Sequence, residues 1–234
     1  NVPNNRLKPI FQKQYKDIVY IGIYSFSNQK WRLLKTKKCK PYEFIEISRS
    51  ELDVRDNEMV VVVPKKVDIF KEFNKKLPEP DSLKIDNSIV AQRASLNFSY
   101  LNCSTSYQGE YPFIMTTKHK GTFLSFDTLK QSDYPSTKNF LILINISKEY
   151  KLSNQIKVKC FCPNNRKNFK FIYAKRNAFS IFEKSIFEND LDQSSTIFLT
   201  SKDASFIPLM VSIDLNSMQL SVEHTHPPTE YFFG

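Results

Sequence analysis

The segment Glu223-His-Thr-His226 holds two of the three histidines in the chain. Side chains two positions apart on a β-strand project from the same face, so His224 and His226 have the spacing of two ligands to one metal ion. Two imidazoles do not complete a metal site, because zinc sites take at least three protein ligands. The segment therefore predicts a metal site only if another part of the chain supplies a ligand.

Candidates for the third ligand are His119 and the carboxylates of Glu110 and Asp127. With a divalent transition metal as cofactor, Glu223 or Glu110 would act as the general base of a metal-dependent β enzyme. The competing interpretation is that both histidines are ordinary surface residues near the end of the chain. Nothing in the sequence brings the candidates together, so the metal site is a hypothesis.

A second candidate is the polar segment from Asn102 to Pro112, which we predict to be a loop between two strands. Its tyrosines, Tyr107 and Tyr111, have rings that can stack on a sugar or another planar ligand, while Gln108 and Glu110 can fix hydroxyl groups. The competing interpretation is a plain hairpin loop whose hydroxyl groups satisfy the local backbone. The loop is the predicted ligand site of a binding module.

A third candidate is the segment from Lys157 to Arg176, in which basic and aromatic residues alternate. The aromatic members are Phe161, Phe169, Phe171 and Tyr173. Charge combined with aromatic stacking is what binders of single-stranded nucleic acids use. In a hairpin, however, alternation favours lysines on the solvent side and aromatics in the core. We therefore interpret this segment as an ordinary solvated hairpin.

The four cysteines form no C-x-x-C pair. Cys160 and Cys162 flank one residue, which favours two small buried side chains over a mutual disulfide. Cys103 with His224 or His226 would be the minimum for a thiol nucleophile and its base, a weaker hypothesis than the metal site.

Only four glycines occur in the chain, at Gly22, Gly109, Gly121 and Gly234. Phosphate-binding loops need several closely spaced glycines to bring backbone N–H groups to the ligand, and none of the common glycine-rich motifs can be written with these four. This excludes the usual nucleotide-dependent enzymes. We expect no organic cofactor and favour a protein that is not an enzyme.

The formal net charge of +10 suggests a polyanionic partner. The chain is also rich in residues with AT-rich codons, and Lys greatly outnumbers Arg, although bidentate recognition of guanine or phosphate favours Arg. We therefore expect no specific nucleic-acid partner, and a carbohydrate or another polyanion in its place.

Short β-prone segments divided by turn residues recur through the chain, which is the pattern of an antiparallel β-sandwich or jelly roll. Apolar residues spaced three or four apart predict a helix over about 66–77, and a second short helix is favoured over 178–190. We predict an extended N-terminal arm at 1–16 and a single mainly-β domain at 17–234, with a candidate boundary in the loop 78–88.

The longest apolar runs, Met59–Val63 and Phe140–Ile146, fall well short of the ~20 residues that cross a bilayer as a helix. We expect a soluble chain with no membrane span, and the sequence leaves its compartment open. Three Asn-x-Ser/Thr sequons, at Asn97, Asn102 and Asn145, are about what chance gives in a chain this rich in Asn, Ser and Thr.

Together these features favour a non-enzymatic β-sandwich module that binds a carbohydrate or another polyhydroxylated or anionic ligand near Tyr107–Tyr111. The first alternative is the metal-dependent β enzyme built on His224 and His226. The second is an interaction or assembly domain of a larger protein.

Overall fold

The computed structural model describes residues 4–8, 18–40, 43, 45–55, 58–78, 93–100, 103–109, 121–124, 136–146, 154–162, 165–188, 197–201, 204 and 206–224. Its strands are β1 (Asn4–Lys8), β2 (Val19–Ser27), β3 (Lys30–Cys39), β4 (Ile45–Ile47), β5 (Val60–Lys65), β6 (Arg93–Tyr100), β7 (Cys103–Gly109), β8 (Gly121–Leu124), β9 (Thr137–Ile144), β10 (Gln155–Cys162), β11 (Asn165–Lys175), β12 (Phe179–Glu183), β13 (Ile197–Thr200), β14 (Ile207–Asp214) and β15 (Leu220–His224). A 3-10 turn (Arg49–Glu51) and the short helix α1 (Ser185–Glu188) complete the described elements.

These strands form four sheets, with the orders β4-β1-β6-β7, β3-β2-β5, β11-β10-β13-β8 and β12-β9-β14-β15. The predicted mainly-β, antiparallel, sandwich-like fold is confirmed. The chain divides into two compact units, residues 1–99 with 106–113, and residues 100–105 with 114–234. Within the predicted N-terminal arm, residues 4–8 pair as β1 with both β4 and β6. The assignment of 17–234 to a single domain stays a prediction.

In the first unit, strand β2 is buried along both of its faces. Ile21 and Ile23 pack on one face with Cys39 of β3 and Ile47 of β4, so the two sheets of this unit share one apolar cluster. Burial of this kind is the main stabilising term of a sandwich, because apolar area is removed from water on both inner faces.

The opposite face of β2 is covered by Phe70, and Gly22 makes that contact feasible. A Cβ added at Gly22 would lie only 2.4 Å from Cε1 of Phe70 and 2.7 Å from Cε2 of Tyr24. The rings of Tyr24 and Phe70, both fully buried, lie with centroids 6.2 Å apart. Gly22 is therefore required by close packing of a ring against the strand backbone.

The helix predicted over 66–77 is wrong, and residues 70–75 form a series of turns. Hydrogen bonds there span three residues, as from Glu72 N to Ile69 O, and the carbonyl of Asn74 accepts instead from the backbone N–H of Leu33 in β3. Val67, the first residue of the expected apolar face, is 66% exposed. The apolar spacing reflects Phe70 seated over Gly22, a tertiary contact that periodicity alone does not distinguish from a helix.

The second unit packs two four-stranded sheets face to face. Its core is built from alternate residues of facing strands, and its buried members include Leu141 and Leu143 of β9, Val158 and Cys160 of β10, and Ile172 of β11. Asn145 and Asn177 form a buried polar pair just after the ends of β9 and β11. The side-chain Oδ1 of Asn145 accepts a hydrogen bond from the backbone N–H of Asn177 at 3.0 Å. Asn177 has φ of 51°, a left-handed conformation that Asn tolerates better than most residues.

The helix favoured over 178–190 is largely wrong. Residues 179–183 form β12, which pairs with β9, and of the range's described residues only Ser185–Glu188 are helical. Alternate burial explains the outcome, because Ser180 is buried and Phe182 packs on the core while Ile181 is 56% exposed. Among the described residues no helix combines the length and apolar character needed to cross a membrane.

We expect Gly22→Ala to destabilise the protein by about 1–3 kcal/mol, because the new methyl group overlaps the Phe70 ring. Urea denaturation of a double-mutant cycle checks this. In a Phe70→Ala background the same Gly22→Ala change should cost less, since the ring nearest the new methyl group has been removed and only the Tyr24 ring remains close. Equal costs in both backgrounds would contradict the packing explanation.

Removing the Asn145 side chain should also destabilise the fold. Asn145→Ala leaves the buried N–H of Asn177 without its acceptor, which typically costs about 1–3 kcal/mol. Asn74→Ala, an exposed Asn to Ala change, is the matched control and should stay within about 0.5 kcal/mol of the parent. A small effect at both positions in thermal or urea denaturation would show that the buried bond contributes little.

Candidate functional site

The predicted metal ligands lie at the end of the last described strand. Glu223 and His224 are the final two residues of β15, where they pair with Met210 and Leu209 of β14. His226 and His119 lie outside the described residues. No group of three His, Cys, Asp or Glu suited to hold a metal ion occurs in the part of the chain that the structure describes. The metal site stays a prediction.

The tyrosine segment is a strand where we predicted a loop. Tyr107 and Gln108 belong to β7, which lies beside β6 at the end of its sheet, while Glu110 and Tyr111 fall outside the described residues. The polar and aromatic residues that suggested a loop are also compatible with a strand, because Thr and Tyr favour extended backbone. Tyr107 and Gln108 belong to the first unit and Glu223–His224 to the second.

Two of the four cysteines have described side chains, and both are free and buried. Burial raises the pKa of the Cys160 thiol to about 12, with nearby Lys170 acting in the opposite direction. Burial, followed by the charge of Glu43, also raises the pKa of Cys39. Both thiols are therefore protonated at neutral pH and poor nucleophiles. The prediction that Cys160 is a small buried side chain is confirmed.

The hairpin of β10 and β11 carries the most distinctive surface. Its register pairs Lys157 with Tyr173, Lys159 with Phe171 and Phe161 with Phe169. Cross-strand partners project from the same face of a sheet, so these lysines and rings share one side. The other side contributes Ile156, Val158, Cys160, Ile172 and Ala174 to the core.

This arrangement overturns the prediction that the aromatics of the hairpin lie in the core. Phe169, Phe171 and Tyr173 are 44%, 39% and 56% exposed. We call their side of the sheet the aromatic–lysine face, which consists of Phe169, Phe171 and Tyr173 on β11, Lys157, Lys159 and Phe161 on β10, and Phe198 on β13. The smaller Ile, Val and Ala side chains fill the core in their place. Three exposed aromatic side chains in a row form a patch, unlike the isolated exposed Val67.

The rings and the lysines of this face contact one another. The Nζ atom of Lys157 lies 3.8 Å from the centroid of the Phe171 ring, and Nζ of Lys159 lies 4.2 Å from that of Phe169. These are cation–π distances, and such contacts at exposed sites contribute about 0.5–1 kcal/mol each. Phe169 and Phe171 meet edge to face with centroids 5.3 Å apart. The contacts hold the ammonium groups close above the sheet.

At the inner end of the face, the Phe161 ring stacks on Phe198 of β13, with centroids 5.8 Å apart and planes 18° apart. The aromatic surface therefore spans three neighbouring strands. Both rings are half-buried, in contrast to the more exposed rings of β11. They provide a fixed apolar floor beside the three exposed rings.

Lys157 and Lys159 form no ion pair with any carboxylate of the described residues. The basic residues of β3 differ in this respect. Nζ of Lys37 lies 2.9 Å and Nζ of Lys35 3.1 Å from Oε2 of Glu51, and their hydrogen bonds lower the pKa of Glu51 to about 2. The basic strand of the first unit is thus partly neutralised, while among the described residues Lys157 and Lys159 contact aromatic rings and no carboxylate.

The sequence named this segment as a candidate, but we interpreted it as an ordinary solvated hairpin because its aromatic residues were assigned to the core. In β11 the alternating sets are Phe169, Phe171 and Tyr173 on one side and Lys170, Ile172 and Ala174 on the other, and hydrophobicity favours burying the aromatic set. The decisive signal was in the partner strand, where Ile156, Val158 and Cys160 can only face the core. Comparisons of the chain with models of known families, with curated proteins and with solved structures find no match.

Cys160 should resist alkylation in the folded protein. Treatment of native protein with iodoacetamide at about pH 8, close to the ordinary thiol pKa, should leave Cys160 unmodified because its thiol is buried and protonated. Peptide mass spectrometry locates the label, and the same treatment in denaturant should label Cys160 fully. Rapid labelling of Cys160 in the native state would show that the core around it opens readily.

Proposed function

We propose that this chain is a non-enzymatic binding module whose ligand lies on the aromatic–lysine face. The observation that carries the proposal is the row of exposed rings on β11 beside lysines that have no carboxylate partner among the described residues. Exposed aromatic rings leave apolar area in water, and a ligand that covers them recovers that free energy. The lysines add attraction for a negative charge.

The chemistry of the face specifies the ligand class. Flat apolar groups fit the rings, and anionic groups fit the ammonium ions held 3.8 and 4.2 Å from the ring centroids. An anionic ligand with exposed ring systems matches both features at once. The charge balance supports this, since the described parts of β10 and β11 carry Lys157, Lys159 and Lys175 outward with no acidic residue among them.

The position on a sheet face suits a binding role. Both strands are held by paired backbone hydrogen bonds, and their inner side chains are packed in the core. The rings therefore keep their spacing before a ligand arrives, which limits the entropy lost on binding. The ligand site predicted around Tyr107, Gln108, Glu110 and Tyr111 stays a separate prediction, because two of its four residues lie outside the described part of the chain.

We expect the protein to be retained on heparin at low salt, and the double variant Lys157→Gln/Lys159→Gln to elute at clearly lower salt. The reason is that these two lysines supply positive charge that no carboxylate of the described residues offsets. The matched control, Lys71→Gln/Lys75→Gln, removes the same two charges from exposed positions in the first unit and should shift elution less.

Equal shifts in elution salt for the two double variants would mean that only the net charge matters, and the proposed site would be wrong. Absence of retention at low salt would remove the proposal altogether. Near-ultraviolet circular dichroism confirms that each variant keeps the parent fold.

A further inference from the structure

We propose that the anionic ligand of the aromatic–lysine face is a single-stranded nucleic acid, whose bases stack on Phe169, Phe171 and Tyr173. This inference rests on the proposed function and names its ligand class. It concerns binding that tolerates many sequences, because stacking on a ring uses the face that every base has.

The spacing of the rings is the first argument. Successive outward residues of a strand are two positions apart, so the attachment points of the three rings follow one another at about 6.6 Å. Bases in a duplex strand rise by only ~3.4 Å per nucleotide and cover one another's faces. The ring row therefore fits bases that have been spread apart, as in an extended single strand, and not a stacked duplex.

The second argument is the position of the charges. Lys157 and Lys159 lie on the neighbouring strand, directly across from Tyr173 and Phe171. A chain running along β11 would draw Nζ of Lys157 and Lys159 from their positions over Phe171 and Phe169 onto its phosphates, and its bases would stack on the ring faces released in this way. Lysine acts as a point charge without the planar fork of Arg, so these contacts attract phosphate without reading a base edge.

Ring chemistry separates this ligand from a sulfated polysaccharide, the other common polyanion. A sugar ring can pack a C–H face on an aromatic ring, but in a sulfated sugar charged sulfate groups flank that face, whereas a base offers a flat aromatic face with no charge on it. Sulfates on the lysines would then supply most of the binding, and the exposed rings would contribute little. Bases engage the rings and phosphates engage the lysines, so a single-stranded nucleic acid uses every member of the face.

Fluorescence anisotropy with a short labelled oligothymidylate, its duplex with oligoadenylate, and a heparin oligosaccharide tests the inference on the full chain. We expect the single strand to bind more tightly than the duplex. Phe171→Leu and Tyr173→Leu remove a stacking ring while keeping an apolar side chain, and each should weaken single-strand binding about fivefold or more.

The same leucine variants should change heparin affinity much less than single-strand affinity, because they alter no charge. Val67→Ala, a truncation of an exposed apolar residue in the first unit, is the control and should bind all three ligands like the parent. Lys157→Gln should weaken binding of both the single strand and heparin.

The possible outcomes distinguish this inference from the function on which it rests. If heparin binds through Lys157 and Lys159 but the single strand binds no better than the duplex, the nucleic-acid inference is wrong and the anion-binding module stands. The same conclusion follows if the leucine variants bind the single strand like the parent. If no polyanion binds, both proposals fall.

Discussion

The antiparallel register of β10 and β11 determines what the second unit shows to solvent. Once Ile156, Val158 and Cys160 are placed in the core, pairing puts Ile172 and Ala174 beside them and leaves Phe169, Phe171 and Tyr173 on the outside. A shift of one residue would exchange the two sides of β11 completely. The core thus stabilises the fold by burying the smaller aliphatic set, and the larger aromatic set becomes available for another use.

The class of fold was readable from the sequence because it depends on many short local signals that agree. Hairpin 156–173 illustrates this, since the alternation along most of 156–162 and the turn residues that follow predicted the hairpin that β10 and β11 form. The helices were harder. The spacing of Phe70 and Leu77 comes from a loop packed over Gly22, and a hydrophobic pattern does not reveal which distant backbone a ring will meet.

The candidate site was less accessible to sequence reasoning, for a related reason. Hydrophobicity treats an aromatic residue as a core residue, so Phe169 and Phe171 were assigned to the interior. Only the register with β10 shows that the core is filled by Ile172 and Ala174, which lie on the other face of β11. Which rings of a strand are exposed depends on the strand with which it pairs. The residue pattern of β11 alone does not show which of its two faces lies against the core.

The burial of Asn145 limits when this chain could receive a glycan. Although Asn145 lies in a sequon, its side chain is 1% exposed and its Oδ1 atom accepts a hydrogen bond from the backbone N–H of Asn177. An oligosaccharyltransferase would have to act on this site before the second unit folds. The attached sugar would then keep the Asn145 side chain out of its buried position. Modification and folding at this position are mutually exclusive, so the order in which they occur would decide which molecules reach the native state.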